Sequence, residues 1–430
     1  MTVRRGSKDG GSDGGMAFAV VIVLVALNLR AFLTSSSPLL AAIRQATGIS
    51  FHAVALLTVL PMFAMGAMSL VGAAVGQRVG ARAGIACGLA AIAVACASRY
   101  VAGGAAALLW SAALAGAGVG LVQALMPGVV KQAYPTRIGV MTGLYSAAIM
   151  GGGGLGAMAS PWVAHAFGGA QPDWHAGLAI WALLATFALL YWLNMRRVQF
   201  TADAPRQNLS WLRCFGNRRA WLLAVCFGLI NGGYTSLVAW LPHFYAQQGW
   251  SAQQGGSVLA LMTLAQVVAA LAMPAIARSR GRDMRPWLVL TLLAQLAGFA
   301  ALTFEAPVPA PAVAVVLGFG LGGAFALCMV LALDHLGDPA QAGALAGFMQ
   351  GVGFMIAALA PFVTGWVREH TGGFTLAWAY LGAVVVVLLP LMLCFDPGRY
   401  AKAMAGLFAP QPSSPHTHSP VHALDGARKA

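Results

Sequence analysis

Long apolar runs constrain the fold of this chain more than any other feature. They recur at twelve places, at residues 16–43, 51–76, 83–101, 105–130, 138–164, 177–195, 220–244, 254–277, 286–304, 310–333, 342–367 and 374–395. A helix of about 20 apolar residues crosses the hydrocarbon core of a bilayer, and only helices or closed barrels satisfy backbone polar groups there. Because the runs are too long and continuous for barrel strands, they predict an all-α integral membrane protein with twelve transmembrane helices.

The composition leaves little material for a large soluble domain. Hydrophobic residues make up 59 % of the 430 residues and charged residues 8 %, whereas a globular domain has about 25 % charged residues. The six cysteines show no C-x-x-C spacing, so we expect neither a disulfide framework nor a metal or other cofactor. Histidines in the apolar region lie near the ends of the runs, which argues against the nucleophile–base pair of an intramembrane enzyme.

Basic residues lie mainly on one side of the predicted membrane protein. Nearly all of the 25 Lys and Arg residues fall in the tails and the even-numbered loops, whereas the odd-numbered loops hold Arg44, Arg99 and Arg368. Since basic loops face the cytoplasm, we expect both termini to lie in the cytoplasm. This distribution accounts for the net charge of +14 without a nucleic-acid partner, which would need a clustered basic face.

Glycines and prolines repeat between the two halves of the chain. Two sets stand 200 residues apart in the fifth and eleventh runs, namely Gly143, Gly151, Gly153 and Pro161, and Gly343, Gly351, Gly353 and Pro361. Parallel repeats are typical of secondary transporters with a substrate site near the midplane between them. The glycines would let these helices slide against their neighbours, and close packing of small residues in lipid is the alternative reason for them.

The repeat divides the chain into two six-helix pseudo-symmetric bundles, residues 16–195 and 220–396. The basic and polar stretch 196–219 lies midway along the chain and is the predicted cytoplasmic linker. The glycine-rich residues 1–15 and the proline-rich residues 397–430 predict disordered cytoplasmic tails. We expect a single chain to be the functional unit.

Arg30 is the one charged residue deep inside a predicted helix. It lies about 21 Å along the first run from Met16, at 1.5 Å per residue, where an arginine costs at least about 2.5–3.5 kcal/mol. All eleven Asp and Glu residues fall in tails, loops or helix ends, and Asp334 comes nearest to a membrane position. Carbonyls, hydroxyls, water or a bound anion must therefore satisfy the guanidinium. Its planar fork of donors suits a small anion, and we favour a substrate anion over a structural role.

Other polar side chains lie at similar depth on several runs. The candidates for substrate binding beside Arg30 are Asn28, Thr34, Gln123, Tyr145, Asn231, Tyr234, Gln266 and Gln350. An interhelical hydrogen bond is the alternative role for each of them. No intramembrane Asp, Glu or His relay of the kind that proton-driven transporters use is visible, so we expect either uncoupled transport or exchange with another anion.

Several short motifs resemble those of a known transporter family. The turn Gln77-Arg78-Val79-Gly80-Ala81-Arg82 resembles the cytoplasmic signature of the major facilitator superfamily. The run Leu27-Asn28-Leu29-Arg30 resembles the cyanate porter family within it, as do residues 126–131 and 331–335. The resemblance extends over residues 20–395 and implies a twelve-helix inner-membrane carrier with cyanate as the leading substrate. Gating or structural roles are expected for Arg78, Gly80, Arg82, Pro127 and Asp334 and for the repeated glycines and prolines.

These observations predict a secondary transporter that moves a small anion by alternating access. The two bundles would rock about the linker 196–219 and expose the Arg30 site to each side in turn. The expected partners are the anion and the lipid bilayer. Export of nitroimidazole-like or other small drugs is the alternative function.

Overall fold

The computed structural model describes residues 11–405 except 37, 49–50, 169–171, 196–209 and 251, together with residue 407. Helices dominate this part of the chain. Those of the first half are α1 (Gly11–Thr34), α2 (Leu40–Thr47), α3 (Phe51–Val79), α4 (Ala81–Ser98), α5 (Ala105–Ala133), α6 (Ile138–Gly168), α7 (Trp174–Ala179) and α8 (Trp181–Asn194). Those that follow are α9 (Ser210–Cys214), α10 (Arg218–Gln247), α11 (Ala252–Ser279), α12 (Arg285–Thr303), α13 (Ala310–Asp334), α14 (Pro339–Thr371), α15 (Thr375–Leu393) and α16 (Tyr400–Ala403).

The predicted all-α membrane fold is confirmed. Among the described residues, eleven helical stretches are long and apolar enough to cross a membrane, with α7 and α8 counting as one stretch. The remaining segment is α3, a helix of 29 residues whose apolar part is the shorter stretch Val59–Gly72. Together they form the twelve segments of the prediction. We call α1–α8 the N-half and α10–α15 the C-half.

The first apolar run ends earlier than predicted. Residues 16–43 were expected to form one span, but α1 ends at Thr34 and the separate helix α2 begins at Leu40. Pro38 lacks the N–H that would continue the helix. The hydroxyls of Ser35 and Ser36 donate to the carbonyls of Phe32 and Leu33 and so satisfy the last turn of α1.

Helical structure extends across the inner boundaries predicted for the tails. Helix α1 begins at Gly11 rather than at residue 16, and residues 397–403 form a 3-10 turn followed by α16. Tyr400 is buried and stacks on His335 with ring centroids 3.9 Å apart, which anchors the C-terminal segment. Burial also lowers the pKa of His335 to about 4, so its ring is neutral at physiological pH. Residues 1–10 and 408–430 lie outside the described residues.

The predicted linker is also shorter than expected. Residues 210–214 form α9, and α10 begins at Arg218, inside the predicted linker. The side chain of Asn217 caps α10 because its carbonyl accepts from the backbone N–H groups of Arg219 and Ala220. Its amide donates to the carbonyl of Ala403, which ties this helix start to the C-terminal segment. Residues 196–209 lie outside the described residues.

One end of the bundle holds the start of α1 and the ends of α5, α11, α13 and α15, and we call it the terminal face. Phe18 near the start of α1 stacks on Tyr134 at the end of α5, with centroids 6.0 Å apart. At the same end, Lys131 of α5 donates to the carbonyl of Leu333 in α13. The two halves meet mainly where α6 packs on α11 and where α14 packs on α3 and α5.

Glycines permit the closest helix contacts inside each half. A Cβ atom on Gly152 of α6 would lie 2.0 Å from the carbonyl oxygen of Leu27 in α1, and one on Gly322 of α13 would lie 2.2 Å from that of Gln266 in α11. Backbones can approach this closely only at residues without a side chain. By contrast, a Cβ on Gly151 would have its nearest atom at 3.8 Å. Close packing of α1 on α6 therefore depends on Gly152, which the repeat analysis did not select.

Candidate anion site between the two halves

Arg30 is buried in α1 with 4 % of its surface exposed. It takes part in none of the ion pairs among the described residues. Its Nη1 atom lies 3.2 Å from the sulfur of Met150 in α6, and a thioether is a weak acceptor. The expectation that no carboxylate neutralises this arginine therefore agrees with the described contacts.

Two aromatic rings of the C-half lie beside the guanidinium. Its Cζ atom is 4.5 Å from the ring centroid of Tyr234 in α10 and 5.4 Å from that of Phe325 in α13. Ring faces attract a cation through their quadrupole but bring no negative charge. The side chain of Arg30 thus crosses from the N-half to the C-half. The sequence analysis missed Phe325 as a neighbour of Arg30 because it considered polar side chains first.

Two predicted ligands next to Arg30 use their hydrogen-bond donors on backbone carbonyls of the N-half. The hydroxyl of Thr34 is 2.7 Å from the carbonyl oxygen of Gly153 in α6 and 3.2 Å from that of Arg30. The amide of Asn28 donates to the carbonyl of Leu24, one turn earlier in α1, over 2.7 Å. These donors are used within the N-half, so the structure favours a positioning role for both residues.

A second buried arginine lies near the far end of α1. Arg99, which the sequence analysis placed in an outer loop, is 4 % exposed. Its Nη1 donates to the carbonyl of Phe32 in α1, and its Nε donates to the hydroxyl of Ser111 in α5, both over 3.1 Å. Helix ends leave carbonyls without intrahelical donors, and Arg99 supplies one. Arg99 thus bonds to helix α1 and to a hydroxyl of α5, whereas Arg30 contacts a thioether and two rings.

Pro127 creates a hydrogen bond between the halves. A proline has no N–H, so the carbonyl of Gln123, four residues earlier in α5, lacks its usual helical donor. The side-chain amide of Gln350 in α14 donates to that carbonyl over 3.0 Å. The remaining amide oxygen of Gln350 and both amide atoms of Gln123 are buried without a partner among the described residues.

Proline has the same effect inside the C-half. Pro361 leaves the carbonyl of Ala357 in α14 without its helical donor, and the hydroxyl of Thr235 in α10 donates to it over 2.9 Å. In α10, the amide of Asn231 donates to the carbonyl of Phe227, one turn earlier, over 2.9 Å. Asn231 is therefore used in the same way as Asn28.

Two further predicted ligands, Tyr145 and Gln266, are buried but make no described contact with the residues above. The hydroxyl of Tyr145 in α6 and the side-chain nitrogen of Gln266 in α11 have no partner among the described residues. The described contacts join Arg30 to Tyr234 and Gln123 to Gln350, and they do not join Tyr145 or Gln266 to either pair.

The two halves are latched together at the terminal face. The Lys131 ammonium of α5 donates to the carbonyls of Leu333 and Leu336 at the end of α13. Beside it, the predicted gating residue Asp334 pairs with Arg278 of α11 over 2.6 Å. A Cβ on Gly128 would lie 3.2 Å from the carbonyl oxygen of Pro339 in the other half. Lys131 belongs to one of the motifs of the resemblance, but the sequence analysis did not select it.

The predicted gating turn between α3 and α4 contacts its own half. Gly80 has a φ of 85°, a conformation that glycine adopts readily. Arg82 donates to the carbonyl of Leu193 at the end of α8 over 2.9 Å, and Arg78 is exposed. Among the repeated glycines, a Cβ on Gly351 would clash with the side chain of Leu70 in the N-half. A Cβ on Gly353 would clash with the ring of Phe227 within the C-half.

A twelve-helix bundle in two halves, with an arginine reaching from one half to the other, defines a multi-pass secondary transporter. The sequence pattern of the Major Facilitator Superfamily matches residues 18–361, and the chain belongs to this family.

The chain is similar to two transporters of known name and to one solved transporter structure. The chain is 47 % identical to the cyanate transport protein CynX of Escherichia coli strain K12 over 381 residues, 89 % of this chain and 97 % of that protein. It is 29 % identical to the 2-nitroimidazole transporter of the same strain over 397 residues, 88 % of this chain and 94 % of that protein. Its fold resembles the proton:xylose symporter XylE, with a TM-score of 0.75 at 14 % identity, covering 89 % and 96 % of the two chains.

Proposed function

We propose that this transporter carries a small anion, cyanate in the first instance, and that Arg30 binds the anion between the two halves. The observation that carries the proposal is a buried guanidinium that touches a thioether and two aromatic rings and pairs with no carboxylate of the described residues. An anion entering the site would supply the missing negative charge. Cyanate is small and linear, which suits the planar donor fork of arginine.

The identity to the cyanate transport protein supports this substrate. Of the nine residues that the sequence analysis assigned to the site, we propose Arg30 as the anion ligand and Tyr234 as the aromatic wall. Gln123, Tyr145, Gln266 and Gln350 have buried polar atoms without described partners, and we propose that these atoms orient the anion or its water. Asn28, Thr34 and Asn231 would act by fixing the helices.

We further propose an inner-membrane protein whose terminal face is cytoplasmic and whose functional unit is one chain that catalyses no reaction. The excess of Lys and Arg at this face supports the orientation. In the present structure, Lys131 latches the halves at the terminal face. This conformation would then be closed to the cytoplasm, and rocking of the halves would break the Lys131 and Gln350 contacts to release the anion inside.

Uptake of labelled cyanate into proteoliposomes tests the proposal. Wild-type protein should accumulate label, Arg30→Ala should insert and fold but lose uptake, and Arg30→Lys should keep part of it. Arg399, with its side chain 77 % exposed, gives a matched control, and Arg399→Ala should transport like wild type. Normal uptake by Arg30→Ala would contradict the binding role.

Export of a nitroaromatic compound is the second candidate function. The rings of Tyr234 and Phe325 beside Arg30 could also stack on a flat aromatic substrate that carries a nitro group, and a 2-nitroimidazole transporter is among the relatives. Susceptibility of cells with and without the protein separates the two functions. Export predicts raised resistance to nitroimidazoles, whereas cyanate uptake predicts no change in it.

A further inference from the structure

Two Ser and Thr hydroxyls in α6 lack the backbone hydrogen bond that most buried Ser and Thr side chains make in the described part of the chain. Within membrane helices, Ser and Thr usually donate to a carbonyl three or four residues earlier. Among the described residues, this bond is made, for example, by Ser35, Ser111, Thr291 and Thr364. Thr142 and Ser146 are as buried, at 2 % and 0 % exposure, yet neither hydroxyl has a partner among the described residues.

Both hydroxyls lie on the face of α6 that leads to Arg30. Positions 142, 146 and 150 are four residues apart and therefore share one side of the helix, and Met150 contacts Nη1 of Arg30. Each step is about 6 Å along the helix axis. Because α6 begins at the terminal face, the row runs from the Arg30 site through Ser146 to Thr142 and on toward that face.

The neighbouring side chains of the C-half at this level are small. Ala147 of α6 meets Ala270 of α11 and Ala326 of α13 in a small cluster of alanines. One residue before Ser146, the hydroxyl of Tyr145 is also buried without a described partner. The place where α6 faces the C-half below Arg30 therefore combines small side chains with unused hydrogen-bond donors.

We propose that Thr142 and Ser146 form a second anion subsite, between the Arg30 site and the terminal face, through which the anion leaves once the halves have rocked. The subsite rests on the proposed function and takes the same small anion. Its two O–H groups would donate to the anion in place of water. Being neutral, they hold an anion more weakly than the guanidinium does, and so they let it pass on without trapping it.

Substitutions that remove only the hydroxyls test the subsite. We expect the Thr142→Val and Ser146→Ala double variant to bind labelled cyanate at equilibrium within about twofold of wild type. Its uptake rate in proteoliposomes should fall about fivefold, the effect of about one lost hydrogen bond. Thr291→Val is the matched control because the Thr291 hydroxyl bonds to its own helix, and its rate should stay at the wild-type value. Thr142→Ser, combined with native Ser146, should also keep the wild-type rate.

The possible failures are distinguishable. An unchanged uptake rate in the double variant, with wild-type uptake present, overturns the subsite and leaves the proposed function standing. Equal losses of binding and rate also overturn it, because the hydroxyls would then belong to the Arg30 site itself. A wild-type protein without cyanate uptake overturns the proposed function and the subsite for this anion together. If the double variant elutes as aggregate, the single variants Thr142→Val and Ser146→Ala are measured by the same criteria.

Discussion

Helices α1 and α10 open the two halves and are built alike, but their charge differs. Asn28 and Asn231 each donate to the carbonyl one turn earlier. Thr34 bonds to a carbonyl of α6, and Thr235 bonds to a carbonyl of α14. Two residues after the asparagine, however, α1 carries Arg30 where α10 carries Gly233.

We interpret this difference as one between residues that hold the helices and a residue that binds the anion. The shared asparagine and threonine bonds fix each helix within its own half. The arginine breaks the repeat at the depth where α10 contributes the ring of Tyr234. The charge that α1 carries and α10 lacks thus lies where the anionic cargo is proposed to bind. The predictions below test that separation from the largest expected effect to the smallest.

The largest effect is expected at Gly152. A Cβ there would lie 2.0 Å from the carbonyl oxygen of Leu27, so Gly152→Val should force α1 away from α6 and yield little folded protein. Size-exclusion chromatography of detergent extracts measures the folded fraction. Gly151→Ala is the control, since its Cβ has space; a monodisperse Gly152→Val protein would show that this contact is not required.

The aromatic wall should have the next largest effect. Tyr234→Leu removes the ring nearest to Arg30, and a cation–π contact contributes about 0.5–2 kcal/mol. If that contact holds the guanidinium in place for the anion, cyanate binding should weaken about tenfold, as measured by competition with labelled cyanate. Tyr380→Leu, in an apolar groove between α10, α14 and α15, should leave binding unchanged. If the two variants changed cyanate binding equally, the Tyr234 ring would not be part of the site.

The latch at the terminal face predicts a change of conformation rather than of binding. Lys131→Met removes charge-assisted bonds to the end of α13. Bonds of this kind contribute about 1.5–3 kcal/mol, so the equilibrium should move toward the state open at that face by about tenfold. Distances between spin labels on the two halves report the populations. Lys402→Met is the exposed control, and an unchanged distance distribution in Lys131→Met would argue against a latch.

The smallest effect is expected where the two halves match. Asn28→Ala and Asn231→Ala each remove one bond to the helix's own backbone, worth about 0.5–1.5 kcal/mol. Both variants should lower the melting temperature by similar small amounts and keep uptake within about twofold of wild type. Loss of uptake in Asn28→Ala alone would place Asn28 in the site rather than in the scaffold.

The sequence predicted the parts of the fold that hydrophobicity determines. Twelve apolar runs and a two-fold glycine pattern were enough for the bundle, and the absence of a carboxylate at the depth of Arg30 was enough for the anion hypothesis. The ends of helices were less predictable. Tyr400 anchors residues that proline content alone marks as disordered, and such tertiary anchoring leaves no local sequence pattern.

The residues that the sequence analysis missed share a physical reason. Gly152 lies in a run of four glycines, and only the crossing of α1 shows which glycine is in contact. Lys131 and Arg99 look like loop charges until their carbonyl partners on other helices are known. Phe325 lies in an apolar run, where the sequence does not distinguish a phenylalanine that faces the site from one that faces lipid. Each role depends on a neighbour more than fifty residues away in the sequence.

The most direct test of the central claim is equilibrium binding of labelled cyanate to purified protein in lipid nanodiscs, compared between wild type and Arg30→Ala. Saturable wild-type binding that falls at least about a hundredfold in Arg30→Ala is expected for a lost charge-assisted contact in a buried site, with partial recovery in Arg30→Lys. Arg30→Ala protein that binds cyanate as tightly as wild type would contradict the claim that this guanidinium receives the negative charge of the cargo.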